Sequence, residues 1–372
     1  HPGASGNAGL VPEVAARTAA PGFRPLRVAR MDRECIDVIS LTLEPTDGRR
    51  LTRPLPGQFV VMRLRPTPDG PALFRSYSLS GPLSEERYRV SVKLEPNGAG
   101  GTFLASHVHP GDILDVSEPR GAFVLQAGAG PVVLLSAGIG ATPVLAMLHA
   151  LSTSSSPREI WWLHGARNRS SQSFAAEVRQ LVGGLGHGRS RVWFSQPGPE
   201  DRQGQDYDAR GRLDIRAIEQ LAVPREADFY LCGPASFLAD LRSGLAGWGV
   251  AADRIHSEIF SGGPSLTPGV VGATKRPPHA PAGAPGTGPV VSFARSGLTV
   301  RWRPGQDQSL LELAEACDVP VRWSCRTGVC HNCESGLISG SVNYAPDPLD
   351  PPAAGNVLIC CSRPEADIVI DI

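Results

Sequence analysis

From Phe23 to about Leu125 the chain alternates short apolar runs with polar turns, as in "LRVAR", "DVISLTLEP", "GQFVVMRL", "RSYSLS", "RYRVSVKLEP" and "DILDVSEP". Runs this short and closely spaced predict a small antiparallel β-barrel or sandwich. The pattern changes after Gly130. "VVLLSAG", "EIWWLHGAR", "RVWFSQ" and "ADFYLCGPA" are largely apolar, and helical stretches such as "SFAAEVRQLV" and "SFLADLRSGLAGWG" fall between or after them. Buried strands alternating with helices predict a parallel, doubly wound α/β sheet to about Phe260. The chain closes with a hairpin pattern, "VVSFARSGLTVRW", an amphipathic helix, "SLLELAEA", and short strands ending in "ADIVIDI". These predict a compact α+β module.

Composition adds the boundaries. Residues 1–24 are rich in Gly, Ala and Pro without a period, and read as a linker or as the tail of a preceding domain. Ser261–Pro289 is dominated by Pro and Gly and reads as a tether, stiffened in places by polyproline conformation. The expected domains are therefore 25–128, 129–262 and 289–372, with a linker at 263–288. At 372 residues the chain is long enough for each domain to bury its own core.

The formal net charge is zero, which argues against a nucleic-acid partner. Ala127–Leu151 carries no formal charge over a membrane-spanning length, yet Gly138, Gly140 and Pro143 divide it into strand, turn and helix. No membrane association is expected. The chain opens on "HPGASGNAGL" with no secretory pattern of charge followed by an apolar run, so the expected localisation is cytoplasmic.

Eight cysteines are too few for a disulfide-built scaffold of this length. Three of them stand in "CRTGVCHNC", with C-x4-C-x2-C spacing at Cys325, Cys330 and Cys333, and Cys360 and Cys361 follow on a predicted strand. Zinc sites usually present two short Cys/His pairs, and only one is obvious here. His331 completes a Cys3His set only if it binds between two cysteines that also bind. A distant fourth cysteine after x4/x2 spacing is the plant-type 2Fe–2S pattern, with Gly328 placed to turn loop amides toward the sulfurs. The spacing favours iron–sulfur over zinc, with Cys360 or Cys361 as the fourth ligand.

"SAGIGATPV" places Gly138, Ile139, Gly140, Ala141, Thr142 and Pro143 between a strand and a helix. Glycines there allow close backbone approach, a helix N-terminus faces a pyrophosphate, Thr142 supplies a hydroxyl, and Pro143 is preset for the first helical position. Alone, the motif serves equally well as an unliganded turn. Cys232, in "YLCGPASF", ends a buried strand, where ligands of open α/β sheets bind, although such a cysteine is more often plain core. "RSYSLS" alone could be an exposed edge strand.

These motifs acquire meaning together. "CRTGVCHNCESGLISGSV" and "VLICCSRP" resemble the plant-type ferredoxins, a β-grasp family, and matching that family's Val-Leu-x-Cys strand implies Cys360 as the fourth ligand. The glycine motif followed by Cys-Gly-Pro resembles the nicotinamide domain of the ferredoxin–NADP reductase superfamily. That implies nucleotide binding by Gly138–Pro143 and by Cys232, Gly233 and Pro234, with Cys232 beside the nicotinamide. Arg-x-Tyr-Ser resembles the superfamily's flavin motif. It implies that Arg75 meets a phosphate, that Tyr77 stacks on the isoalloxazine, and that Ser78 bonds near N5, with Ser76 in the same strand.

Further along, the backbone of Val92 and Lys93 would touch the flavin, and Gly100, Gly101 and Thr102 would form a second phosphate-binding turn. Glu258 and Phe260, in "HSEIF", would return to the flavin; otherwise they are a surface acid and a core aromatic on a last strand. Arg167, after "HGA", could meet a 2′-phosphate. The flavin is expected to be FAD, on the likeness of "PRGAFVL", with FMN as the alternative suggested by the double glycine. NADH and NADPH both remain open as donors.

The order of flavin, nicotinamide and ferredoxin domains is that of reductases of the phthalate dioxygenase reductase group. The wording is closest to the reductase portion of bacterial oxidoreductases fused behind a MOSC domain. The resemblance implies an NAD(P)H-dependent reductase passing electrons through flavin and a 2Fe–2S cluster to a separate or fused redox protein, such as an oxygenase. Ser78, Cys232 and Glu258 are the expected shapers of the hydride-transfer site. The alternatives are a non-enzymatic redox sensor or scaffold with a metal-binding tail, and a reductase for oxygen or nitrogen-oxide chemistry.

Overall fold

The computed structural model describes residues 23–66, 73–96, 98–121, 123–259, 277–305, 307, 309–321, 323, 326–329, 331, 333–349 and 351–372. The expected head, residues 263–276 of the expected tether, and Phe260, Cys325 and Cys330 therefore lie outside or almost wholly outside the described residues. By internal contact the chain divides into two units. One comprises Pro25–Met62 and Ser76–Gly262, and the other has Gly263–Ile372 as its main segment.

Six antiparallel strands come first, lying mostly in the first unit: β1 (Phe23–Cys35), β2 (Val38–Pro45), β3 (Phe59–Leu64), β4 (Leu73–Ser78), β5 (Tyr88–Lys93) and β6 (Ile113–Ser117). Their order is β4-β3-β6-β1-β2-β5. The two ends of that order meet, because Leu79 bridges Val90 and the Ser80 amide donates to the Arg89 carbonyl at 2.9 Å. The result is a barrel. Its filling is what the alternation predicts, with Val28, Leu41, Leu43, Val60, Met62, Val90 and Val116 buried. A helix, α1 (Ala99–His107), follows β5 where the sequence suggested only a turn. Gly101 eases its seat: a Cβ there would lie 3.1 Å from the Lys93 carbonyl oxygen, so a larger residue would press the helix start against the end of β5.

The parallel sheet follows, with β7 (Val132–Ala137), α2 (Ala141–Thr153), β8 (Ile160–Ala166), α3 (Ala175–Gly183) and β9 (Gly188–Phe194). It continues through β10 (Ala209–Arg210), α4 (Ile215–Gln220), β11 (Asp228–Gly233), α5 (Ala235–Gly247) and β12 (Ile255–Ile259). The strand order is β10-β9-β8-β7-β11-β12, every neighbouring pair parallel. Order reverses between β7 and β11. A crevice outside the carboxyl ends of those two strands is where doubly wound sheets take ligands. Separate apolar layers cover the two faces, one with Val144, Leu145 and Leu148 of α2 and the other with Leu238, Leu241 and Leu245 of α5.

The second unit carries the C-terminal module. Its strands β13 (Val290–Phe293), β14 (Leu298–Arg301), β15 (Glu334–Ser339), β17 (Asn356–Leu358) and β19 (Ile368–Ile370) form a mixed sheet of order β14-β13-β19-β15-β17. A second, two-stranded sheet pairs β16 (Val342–Tyr344) with β18 (Ser362–Pro364). Helix α6 (Leu310–Ala316) starts where Ser309 accepts the Glu312 amide, and Leu310, Leu311 and Leu313 enter the core with Phe293, Val357 and Ile368. Part of the expected linker belongs here. The His279 amide donates to the Cys317 carbonyl at 2.9 Å, and a Cβ on Gly286 would sit 2.1 Å from the Trp302 carbonyl oxygen. Residues 277–288 thus pack as part of this module despite their Pro/Gly composition.

No described helix is long and apolar enough to cross a membrane. The uncharged run Ala127–Leu151 is resolved into β7, a short 3-10 turn and α2, as its glycines indicate.

Candidate functional site

The switch point between β7 and β11 gathers most of the residues singled out in the first unit. β7 ends at Ala137, and Gly138–Gly140 form one 3-10 turn before α2 begins at Ala141. Gly138 has φ +54°, in the left-handed region where a side chain is disfavoured. Gly140 is needed for another reason. A Cβ there would lie 2.2 Å from the Cys232 carbonyl oxygen, so the turn can sit on the end of β11 only because that position has no side chain.

Helix α2 has no side-chain cap, but its Ala141 amide already donates to the Gly138 and Ile139 carbonyls and Pro143 has no N–H. Helix α1 also lacks a side-chain cap; its N-cap is Gly98 and its second and third residues are Gly100 and Gly101, so its first amides are the ones open to an anion. Two differences from expectation stand out. Thr142 is buried and its hydroxyl donates to the Ile139 carbonyl at 3.0 Å, bracing the turn rather than facing outward. Pro143 occupies the third helical position, still within the first turn, where a missing N–H costs no internal bond.

Cys232 is fully buried on β11, and its parallel neighbour on β12 is Glu258. Burial, and then the Glu258 charge, push the thiol well above its ordinary pKa, so Cys232 is a neutral thiol. Burial likewise pushes the Glu258 carboxyl up to about 8, against the lowering effect of the nearby Ser78 hydroxyl. Ser78 is the buried last residue of β4. One carboxyl oxygen of Glu258, Oε2, is buried and has no protein partner among the described residues. An unsatisfied buried polar atom is costly unless something else binds it, and this one belongs to a constellation formed by the barrel and the sheet together. Ser78, Cys232 and Glu258, far apart in sequence, are thus brought together.

The same sheet row extends further than the sequence revealed. Ser136 on β7 pairs in register with Cys232, and His164 on β8 with Ser136. The His164 Nδ1 lies 2.8 Å from the Ser136 hydroxyl, and burial lowers the imidazole to about 4, so the ring is neutral. No motif marks this pair. Only the one-residue offset of the strands in register could have pointed to it.

Other expected residues are placed as follows. Arg75 and Tyr77 are half-buried on β4 and Ser76 is exposed. Val92 is buried in the barrel, while Lys93 pairs with Glu95 at 2.7 Å. Thr102 is exposed on α1. Gly233 is buried and Pro234 exposed at the start of α5. Arg167 is exposed after β8 and pairs with Asp37 at 3.2 Å, which occupies the guanidinium proposed for a 2′-phosphate.

In the C-terminal module the described cysteines Cys333, Cys360 and Cys361 are buried. The Gly328 amide donates to the Cys360 Sγ at 3.4 Å, whereas the Cys361 thiol donates to the Leu358 carbonyl at 3.6 Å. Amide donation to sulfur is the environment that favours thiolate and cluster ligation. Gly328 has φ +68°, and a Cβ on it would lie 2.7 Å from the Cys361 Sγ, so a side chain there would clash in the loop.

Behind this loop, His331 Nδ1 lies 2.7 Å from Glu334 Oε2, while Glu334 Oε1 accepts from the Ala353 amide and from Asn356 Nδ2, each at 2.8 Å. His331 is therefore tied to a buried carboxylate, and its own ring nitrogen Nδ1 is occupied. Among the described residues no three potential ligands gather as a metal site; Cys325 and Cys330 lie outside them.

Residues 134–243 match the family model of the oxidoreductase NAD-binding domain, and residues 294–365 that of the 2Fe-2S iron–sulfur cluster binding domain. The chain is 38% identical over 250 residues to a flavohemoprotein of Deinococcus radiodurans, covering 67% of this chain and 62% of that one. It is 40% identical over 250 residues to the flavohemoprotein of Chromobacterium violaceum, covering 65% and 62%. The chain thus spans about three-fifths of the length of these relatives.

Among solved structures, the flavohem-like FAD/NAD-binding domain of nitric oxide dioxygenase from Vibrio cholerae shares 32% identity at TM-score 0.58, over 64% of this chain and 98% of that one. Phthalate dioxygenase reductase covers 94% of this chain and 98% of its own at TM-score 0.57, and at 24% identity it shares the fold.

Proposed function

Since the chain belongs to the ferredoxin–NADP reductase superfamily and carries a C-terminal 2Fe–2S ferredoxin domain, we propose that it conveys electrons from NADH through FAD and the cluster to a protein acceptor. The observation that carries the reading is the Ser78–Glu258–Cys232 constellation at the carboxyl edge of the parallel sheet, beside an uncapped helix that starts at a glycine turn. A flavin, when bound, supplies the conversion between a two-electron hydride donor and a one-electron cluster.

The protein's part is positioning and charge. The glycine turn at Gly138–Gly140 receives the nucleotide pyrophosphate, and the amides at the start of α1 receive a phosphate of the flavin. Tyr77 packs against the flavin ring. Ser78 offers a hydroxyl beside Glu258. Glu258 retains a proton at neutral pH and so adds no charge beside the nicotinamide ring, while the neutral Cys232 thiol closes the crevice without inviting water. Cys325, Cys330, Cys333 and Cys360 hold the cluster, with the Gly328 amide directed at the Cys360 sulfur.

FAD is preferred to FMN because the sequence relatives share the flavin and nucleotide portion of flavohemoproteins, and solved members of that group are described with FAD. NADH is preferred because Arg167 is already engaged by Asp37. A ferredoxin domain suits delivery to another redox protein, and an oxygenase is the acceptor class proposed, as in phthalate dioxygenase reductase. The flavohemoprotein relatives support a second reading, oxygen or nitrogen-oxide chemistry through an acceptor of that kind.

The test is an absorption spectrum of the pure protein before and after anaerobic addition of NADH, then NADPH. Flavin bands with an iron–sulfur shoulder, both bleached by NADH, are expected. A protein that remains colourless after flavin and cluster reconstitution would end the reductase reading.

A further inference from the structure

Arg89 lies on β5 in the barrel, yet its guanidinium reaches the parallel-sheet domain. Its Nη1 and Nη2 donate to the two carboxylate oxygens of Glu177 on α3, at 3.1 and 2.8 Å. Glu177 Oε1 also lies 2.6 Å from Nε2 of His149 on α2. On the other side, Arg89 Nη2 donates to the carbonyl of Ser80, and the Arg89 carbonyl accepts the Ser80 amide at 2.9 Å. Phe174 lies beneath the guanidinium, 5.5 Å from ring centroid to its central carbon. The three ionisable side chains are largely buried, with relative exposures of 17%, 25% and 10% for Arg89, Glu177 and His149.

A two-toothed Arg–carboxylate contact fixes distance and angle together, which a Lys or a single hydrogen bond does not. Here the fork joins two bodies that each carry part of the candidate site. Ser80 is two residues beyond Ser78, on the segment that closes the barrel onto β5. His149 is on the helix that begins at the nucleotide turn. Resting on the reductase reading, we propose that Arg89, Glu177 and His149 form a positioning cluster that sets the barrel strand bearing Ser78 against the helix bearing the nucleotide turn, and so sets the hydride-transfer geometry. None of the three is placed against a cofactor. They act through the strand and helix that are.

A misplacement of about 1 Å between reacting groups can lower a rate by about a hundredfold while leaving binding intact. The nucleotide turn lies wholly within the sheet domain, so loosening the fork should alter the limiting rate and leave nucleotide affinity alone. A contact that only stabilised the fold would leave both the limiting rate and the affinity of the folded enzyme unchanged.

The experiment compares flavin- and cluster-loaded wild type with Glu177→Gln, which keeps the side-chain volume and removes the charge. Anaerobic stopped-flow reduction by NADH gives the limiting rate per bound flavin and the apparent Kd, and hydrogen exchange on the same samples reports the amides of β5 and α3. The expected result is a limiting rate about tenfold lower, a Kd within about twofold, and faster exchange in both elements. A limiting rate per flavin equal to wild type overturns the positioning role. If Glu177→Gln does not fold, Arg89→Lys, which keeps charge but loses the fork, carries the same expectations. A wild type inert toward NADH and NADPH overturns the reductase reading and this role with it, whereas a reactive wild type with an equally reactive variant overturns this role alone.

Discussion

Ser78, the last residue of a barrel strand, lies close enough to Glu258, on the final strand of the parallel sheet, to lower its carboxyl against the effect of burial. That proximity brings the two domains of the first unit together at the point where Cys232 is buried beside Glu258. It makes the relative placement of barrel and sheet part of the site.

Changing either member of that pair should slow hydride transfer more than it weakens nucleotide binding. For Ser78→Ala and Glu258→Gln, the limiting rate of flavin reduction by NADH is expected to fall by about 10- to 100-fold. Single-turnover stopped flow measures it. Equal rates in wild type and both variants would remove the constellation from the hydride-transfer step.

Glu258 should also leave a mark on stability. Its carboxyl is raised to about 8 in the folded protein from an ordinary value of 4.5, so the folded state holds a proton that the unfolded state releases first. The contribution favouring the fold is fully present below pH 4.5 and is lost as pH rises through 8, at about 1.4 kcal/mol per pH unit at most. Glu258→Gln, which cannot titrate, should therefore gain Tm relative to wild type as pH goes from 5 to 8. A Tm difference that stays flat across that interval would contradict the burial of an acid here.

The two glycines of the nucleotide turn should respond differently to alanine. Gly138→Ala meets no atom within 4 Å but must adopt φ +54°, a cost of about 1–2 kcal/mol. Gly140→Ala places a methyl 2.2 Å from the Cys232 carbonyl and must push the turn off β11. Gly140→Ala is expected to show the larger losses in both Tm and NADH affinity, by thermal unfolding and by titration. The reverse ranking would mean that close approach is not what the motif requires.

The adjacent cysteines should separate cleanly. Cys360→Ser is expected to lose the cluster's absorbance and its electron paramagnetic resonance signal, and Cys361→Ser to retain both, because only the Cys360 sulfur receives the Gly328 amide. Cluster retention in Cys360→Ser together with loss in Cys361→Ser would reverse the assignment.

Much of this was legible from the order of residues. The short alternating runs specify a barrel, the longer apolar runs with intervening helices specify the parallel sheet, and the x4/x2 cysteine spacing specifies the last module, because each depends on period and local chemistry. Ser78, Cys232 and Glu258 could each be named from a motif. Other features were not legible. Helix α1 stands where the family resemblance implied only a phosphate-binding turn, and it forms despite the low helix preference of Gly100 and Gly101. The half of the Pro/Gly segment that packs on the C-terminal module was read as linker, since composition does not reveal that Gly286 is small in order to fit against Trp302.

The amino-acid sequence by itself determined the element types, the family and the set of candidate chemical groups, which are properties of short segments. Only the tertiary structure decided which groups meet: Ser136 and His164 in the row of Cys232 and Glu258, Arg167 on Asp37, and Arg89 on Glu177. The physical reason is that strand register and domain contact are set by packing over long sequence separations, where the cost of closing the chain grows only slowly with distance.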